Sequence, residues 1–219
     1  MTKNKTPTAS LKSRERLLEA AVDVFGKHGF EAATTRMITN EAGVNIAAIP
    51  YYFNGKEGLY QAAVTHIVEK IEANAGAIFK EMAELASNKS LGPKAAVEAL
   101  ENLLGTVVGF MVGSPEAPRI ARILLREQID PSSAYDIIFN RIMTPLITTI
   151  AAFVTATNKK ISPRTARLRA MAIMGQVMAF RVARETMVRM VGIEGYSQEE
   201  TEEIRGIILE HTRKIVRNA

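Results

Sequence analysis

TTRMITNEAGVNIAAIPYYFNGKEGL, residues 34–59, decides how this chain is built. At its centre stands Ala42-Gly43-Val44. A small alanine lets two helices approach, a glycine takes the positive φ of a tight turn, and a valine locks the second helix at a steep angle. Thr34 or Thr35 is set to cap the first short helix, and Asn45 the second. Met37, Ile38, Ala42, Val44, Ile49 and Phe53 are the apolar set that holds both. The second helix then projects as a fin that a major groove of ~12 Å admits. The same turn joins helices in proteins that never touch DNA. A helical adaptor or small-molecule-binding protein without specific DNA binding therefore stays open as an alternative.

Pro50 complicates this stretch. With Asn45 as N-cap it is the fifth helical position, where it deletes the bond to the Ile46 carbonyl and clashes with it, a cost of ~3 kcal/mol. It also pushes Ile49 out of the α region. The helix must either tighten into 3₁₀ turns or kink at residues 49–50.

On the N-terminal side, SRERLLEAAVDVFGKHGF (13–30) puts Leu17, Ala21, Val24 and Phe25 on one helical face. Ser13 is the expected N-cap, Gly29 fits the left-handed position after the helix, and Phe30 can pack back onto it. Residues 1–16 carry Lys3, Lys5, Lys12, Arg14 and Arg16 against Glu15. Such a basic, unpatterned arm suits phosphate contact, and equally a solvated tail. On the C-terminal side, Asn54 or Gly55 starts a longer helix carrying Leu59, Ala63, Ile67 and Ile71.

Longer helices are expected at 75–88, 93–112, 116–128, 131–157, 162–191 and 197–217. Ser114-Pro115, Asp130-Pro131 and Ser162-Pro163 each set a capping side chain before a proline at the first helical position. Ser197 with Glu200 makes a capping box. No segment alternates with period two, so the expected fold is all-α. Residues 1–60 are expected to form a three-helix helix-turn-helix unit with a basic N-terminal arm, and residues 61–219 a larger helical bundle.

Composition narrows the function. Of 219 residues, 47% are apolar and 23% charged, a globular composition. With no cysteine, disulfides, thiolate catalysis and Cys-type zinc sites are excluded. His28, His66 and His211 lie far apart with no carboxylate at ligand spacing, and no Gly-rich phosphate loop or Ser/His/Asp signature occurs. No metal, cofactor or catalytic residue is expected, and the chain is not read as an enzyme. The N-terminus lacks an apolar signal region, and LLGTVVGFMVG (103–113) and PLITTIAAFV (145–154) fall short of the ~18–20 residues of a membrane span. A cytoplasmic location with no membrane partner is expected.

Taken together, these residues resemble the DNA-binding domain of the TetR family of bacterial transcriptional regulators. The resemblance runs without a gap over residues 13–60: the first helix ending in HGF, Thr35, Ile38, Ala42-Gly43-Val44, Tyr52-Phe53 and Lys56-Glu57. RILLREQIDPSSAYDIIFNRIMTPL (122–146) and AIMGQVMAFRVARE (172–185) resemble the effector domain of its CecR-type branch. The resemblance implies a homodimer on a pseudo-palindromic double-stranded DNA operator, and an unidentified small-molecule effector. It also implies, for most of the family, repression that the effector relieves. By position, Thr35 would cap and donate to a phosphate, and Arg36 would reach a base or the backbone. Asn45, Ile46, Ala47 and Ala48 would face the groove, while Tyr51, Tyr52 and Lys56 would hold its phosphate walls. With no Arg or Gln inside the recognition helix, thymine methyls and DNA shape are the expected readout. Thr39 and Pro50 depart from the family's usual alanine and tyrosine. The Thr39 hydroxyl is expected to bond a carbonyl one turn back.

In the C-terminal part, Phe110, Phe139, Met143, Met174 and Phe180 are the expected pocket lining, with Gln176 and Arg181 as polar anchors. Arg126 is expected to lie buried among Leu124, Leu125 and Ile129, and so to pair in the neighbourhood of Glu127, with Glu185, or with an anionic effector. The expected dimer face joins Ala172, Gly175, Ala179, Val182 and Ala183 to Ile204, Ile208, Ile215 and Val216.

Overall fold

A computed structural model describes residues 7–217, with side chains over 11–216, and every regular element among them is a helix. The order is α1 (Pro7–Ala32), α2 (Thr35–Ala42), α3 (Ala48–Phe53), α4 (Lys56–Ala86), α5 (Pro93–Val108), α6 (Ala117–Ile129) and α7 (Tyr135–Ile138). Then come α8 (Thr144–Thr157), α9 (Pro163–Val182), α10 (Arg184–Val191) and α11 (Gln198–Arg217). A π turn, Gly109–Gly113, extends α5, and a second, Phe139–Met143, joins α7 to α8. The chain groups into two compact units. Unit 1 runs to Ile71 and takes in Arg119–Phe139; unit 2 holds Glu72–Pro118 and the remainder from Asn140.

In unit 1 the apolar stripe of α1 meets the short helices as the periodicity requires. Leu17, Ala21 and Phe25 of α1, Ile38 of α2, Ile49 and Phe53 of α3 and Leu59 of α4 are all buried. The rings of Phe25 and Phe30 each meet the Tyr60 ring edge-on, with centroids 4.9 and 5.2 Å away. Gly29 adopts φ 81°, ψ 169° and breaks α1, as a residue with no Cβ can. The start of α1 differs from expectation. Helix begins at Pro7, so Ser13 is a buried interior residue and not the cap, and Lys12, Arg14 and Arg16 are helical. Lys3 and Lys5 lie outside the described residues.

In unit 2, α5, α8, α9 and α11 pack on one another. Leu100, Leu104 and Val108 of α5 meet Ile150 and Phe153 of α8, Ile173 and Val177 of α9, and Ile208 of α11 in one buried cluster. Two starts follow the cap chemistry. Ser162 accepts the Thr165 amide at 3.1 Å before Pro163. Ser197 accepts the Glu199 amide at 3.1 Å while Glu200 accepts the Ser197 amide at 2.9 Å.

Three boundaries differ. α4 is one helix of 31 residues, because Glu72-Ala73-Asn74-Ala75 contains neither glycine nor proline to stop it. Asp130-Pro131 starts no helix; helix resumes at Tyr135, since Ser132 turns its amide and hydroxyl to Glu127. The expected 162–191 helix breaks at Ala183 (φ −93°, ψ 23°), which no residue type there announces. Two helical stretches, Pro93–Gly113 and Tyr135–Thr157, are also long and apolar enough to cross a membrane by length and composition, against the shorter windows expected. Buried residues of both belong to the unit 2 core.

Candidate nucleic-acid interface

The turn of residues 43–45 is built from local bonds. Thr34, not Thr35, caps α2, its hydroxyl accepting the Met37 amide at 3.1 Å; Thr35 is the first helical residue. Gly43 sits at φ 62°, ψ 41°, and its amide bonds the Asn40 carbonyl while the Val44 amide bonds that of Thr39. The buried Thr39 hydroxyl donates to the Arg36 carbonyl at 3.2 Å, one turn back as expected. Asn45 accepts the Ala47 amide at 2.9 Å and so caps a turn that precedes α3.

That turn resolves Pro50. The Ala48 amide bonds the Asn45 carbonyl at 2.9 Å and the Ile49 amide bonds the Ile46 carbonyl at 3.2 Å. Both are i→i−3 bonds, the 3₁₀ geometry. The carbonyl that Pro50 would have orphaned in an α-helix is therefore already taken. Proline is tolerated here because the turn is tight before it arrives.

With Ile38, Ala42, Ile49 and Phe53 buried, the other side of this stretch is open. Ile46 is 53% and Tyr51 79% exposed, with Arg36, Asn45 and Ala47 exposed and Thr35, Ala48 and Tyr52 half-buried. The Tyr51 and Tyr52 rings meet edge-to-face at 4.7 Å. Lys56 opens α4; its ammonium donates to the Glu31 carbonyl at 3.2 Å and lies 4.5 Å from the Phe30 centroid. It is thus anchored to the end of α1.

Two polar clusters brace these helices within unit 1. Glu19 of α1 accepts from His66 (2.8 Å) and Lys70 (2.7 Å) of α4 and from Arg119 (2.5 Å) of α6. Arg119 also pairs with Asp23 and donates to the Glu19 carbonyl at 2.6 Å. Burial alone would raise the Glu19 carboxyl; the bonds from Lys70, His66 and Arg119 outweigh it and hold the group at about 2. In the second cluster Glu127, only 2% exposed, accepts from the Tyr60 hydroxyl at 2.5 Å and from Ser132. The expected buried cation of "ILLREQ" was Arg126. Instead Arg126 is exposed, reaching the Gly26 and Lys27 carbonyls at 3.4 Å, and Ile129 is 84% exposed. The helix is rotated so that its neighbour Glu127 takes the buried position. The pairing of Glu127 with Tyr60 carries no sequence signal, because the two lie far apart along the chain.

The expected effector residues are scattered. Met174 lies in the unit 2 core, and Phe110 and Phe180 pack against it. Gln176 bonds His211 at 3.1 Å. Met143 ends the second π turn and Arg181 lies in the last turn of α9, both half-buried, while Phe139 is 46% exposed. A cavity of about 220 Å³ in unit 2 is lined instead by Glu72, Phe79, Leu103, Arg141, Leu146 and their neighbours. Its wall is the second half of α4, which the unbroken run through residues 72–74 carries along the bundle. The face of α9 that bears Ala172, Gly175 and Ala179 is exposed, whereas Ile204, Ile208 and Val216 of the expected dimer face are buried within the chain's own core.

Comparison with known proteins fits this geometry. Residues 17–63 match the family described as bacterial regulatory proteins, tetR family. Residues 96–218 match the C-terminal domain of the HTH-type transcriptional dual regulator CecR. CecR of Shigella flexneri is 30% identical over 203 residues, 91% of this chain and 89% of that protein. The chain belongs to the TetR family. It is a DNA-binding transcriptional regulator with a CecR-type C-terminal domain, not an enzyme. Similar solved structures include AibR with isovaleryl coenzyme A and operator DNA, 14% identical, TM-score 0.66, covering 91% of this chain and 97% of that one. Another is FadR from Bacillus subtilis with stearoyl-CoA, 16% identical, TM-score 0.58, covering 90% and 96%. Both share the fold of this TetR-family regulator.

Proposed function

We propose that this TetR-family regulator acts in the cytoplasm as a homodimeric repressor, released from a pseudo-palindromic operator by a small molecule. Residues 1–60 read DNA, and residues 61–219 bind the effector and form the dimer. The observation that carries this is the capped turn at Gly43. It leaves Asn45, Ile46, Ala47 and Ala48 leading a helix whose opposite side, Ile49 and Phe53, is held in the core. Thr35 and Arg36 from α2, Tyr51 and Tyr52 from α3, and Lys56 from α4 serve as phosphate and sugar contacts flanking that lead.

An exposed apolar stripe supports dimerisation. Leu168, Met171 and Val182 on α9 are 53%, 57% and 61% exposed, and apolar side chains grouped on one face mark interaction surfaces. That similar folds hold isovaleryl coenzyme A and stearoyl-CoA supports a ligand-responsive C-terminal unit. Operator selection from genomic fragments, followed by gel shift and light scattering, tests the whole reading. The expected result is a dimer with salt-dependent, competitor-resistant binding that a ligand abolishes. A monomer, or binding equal on every sequence, would refute it.

A further inference from the structure

The unit 2 cavity has an apolar floor and a lopsided set of charges. Along α4, Glu72, Gly76, Phe79, Lys80 and Ala83 share one helical face, spanning about 16 Å at about 1.5 Å per residue. Gly76 adds no side chain to this face, and Leu103 and Leu146 line the groove from α5 and α8. At about 220 Å³ the cavity has the volume of roughly seven waters at ~30 Å³ each. It is smaller than the roughly 300–1,000 Å³ of drug-sized sites, and suits a short chain or a single ring.

Its polar rim selects charge. Arg141, in the second π turn, makes a two-pronged contact with Glu72, Nε to Oε1 at 3.0 Å and Nη2 to Oε2 at 2.5 Å. The two side chains are 37% and 40% exposed, so water and solutes reach this pair. Lys80 stands farther along the same face, and its contact with Glu84 is 4.0 Å long. An ammonium ligand would meet two cations and a carboxylate already neutralised. A neutral ligand would gain only the floor. A carboxylate exchanges with Glu72 on a fork whose geometry already fits carboxylate.

We propose that this cavity takes a slender monocarboxylate, with a short alkyl chain or one phenyl ring as its body, whose carboxylate replaces Glu72 on Arg141. The proposal rests on the reading of unit 2 as the effector domain and names the ligand class and the trigger. Binding exchanges a strap that ties α4 to the π turn for a bond to the ligand. Glu72 then leaves Arg141, on the same helix that Lys56 opens.

Calorimetry on the full chain tests this with hexanoate and phenylacetate against hexanamide, phenylacetamide and hexanoyl-CoA. The acids are expected to bind about tenfold or more tightly than the amides. Arg141→Gln should bring acids down to the amide level, and Glu72→Gln, which weakens the internal competitor, should tighten them. Leu146→Trp, which fills the groove, should abolish binding of every probe. If that variant does not fold, magnetisation transfer from the acid's alkyl protons to the Phe79 ring in the wild-type chain reads the same occupancy. Amides binding as tightly as acids, or hexanoyl-CoA more tightly than hexanoate, overturns the carboxylate while leaving the effector site standing. No binding by any probe, or binding indifferent to groove filling, overturns both.

Discussion

Replacing Tyr60 by phenylalanine removes one hydroxyl and leaves the ring between Phe25 and Phe30. The hydroxyl donates at 2.5 Å to a carboxylate that is 2% exposed, so its loss strips Glu127 of one of three donors. The Ser132 amide at 3.1 Å and hydroxyl at 2.9 Å remain. A hydrogen bond to a charged group contributes about 1.5–3 kcal/mol, and with two donors kept the loss should be about 2 kcal/mol. For a chain of this length that lowers Tm by roughly 4–8 °C. Burial first, and then the bond to Glu127, push the Tyr60 hydroxyl above its ordinary value of 10.0. A raised folded value means that this stabilisation is complete below pH 10 and is lost only as pH rises through the folded value. Tyr60→Phe should abolish that alkaline loss. In a double-mutant cycle with Glu127→Leu, urea unfolding should give a coupling of about 1.5 kcal/mol or more. A single-variant cost under about 0.5 kcal/mol, or no coupling, would refute the buried carboxylate's dependence on Tyr60.

Other variants probe the turn, the ion cluster and the interface. Pro50→Ala should change stability by less than about 1 kcal/mol, because Ile49 already bonds the Ile46 carbonyl; a gain near ~3 kcal/mol would mean the proline is strained after all. The Glu19 carboxyl is lowered from 4.5 to about 2, so its stabilisation is whole above pH 4.5 and fades as pH falls towards 2. Glu19→Gln should flatten acid unfolding in that window, modestly because the side chain is 36% exposed; parallel acid curves would contradict this. Tyr51→Phe and Lys56→Ala should weaken binding to all DNA sequences alike, with a lower salt slope for Lys56→Ala. Asn45→Ala should relax base preference and, through the lost bond to the Ala47 amide, cost about 0.5–1.5 kcal/mol of stability. Identical shifts of base preference in all three, measured by operator selection, would undo this sorting of contacts.

The local features were legible because each rests on a few neighbouring residues. Gly43 at positive φ, the Thr39 back-bond, the Ser162 and Ser197 caps and the break at Gly29 are written in residues no more than four apart. Pro50 was half legible: its removal of a donor is a property of proline, while the i→i−3 bond that makes it harmless belongs to the whole turn. The unit 2 cavity was not legible, because one helix boundary decides it. The expected break before residue 75 separates Glu72 from the helix that carries Phe79 and Lys80, whereas α4 runs through it and makes the three one wall.

Composition, periodicity and caps thus determine by themselves that this chain is all helical, that α2 and α3 flank a tight glycine turn, and which face of α1 is buried. The pairings belong to tertiary structure alone. Periodicity offers both Arg126 and Glu127 to the interior of α6, and only the rotation of that helix buries Glu127 against Tyr60. Arg141 and Glu72 meet only because the second π turn and α4 converge on the same cavity. Hydrogen bonds and ion pairs act over a few ångströms, and the sequence holds no measure of distance between residues that far apart.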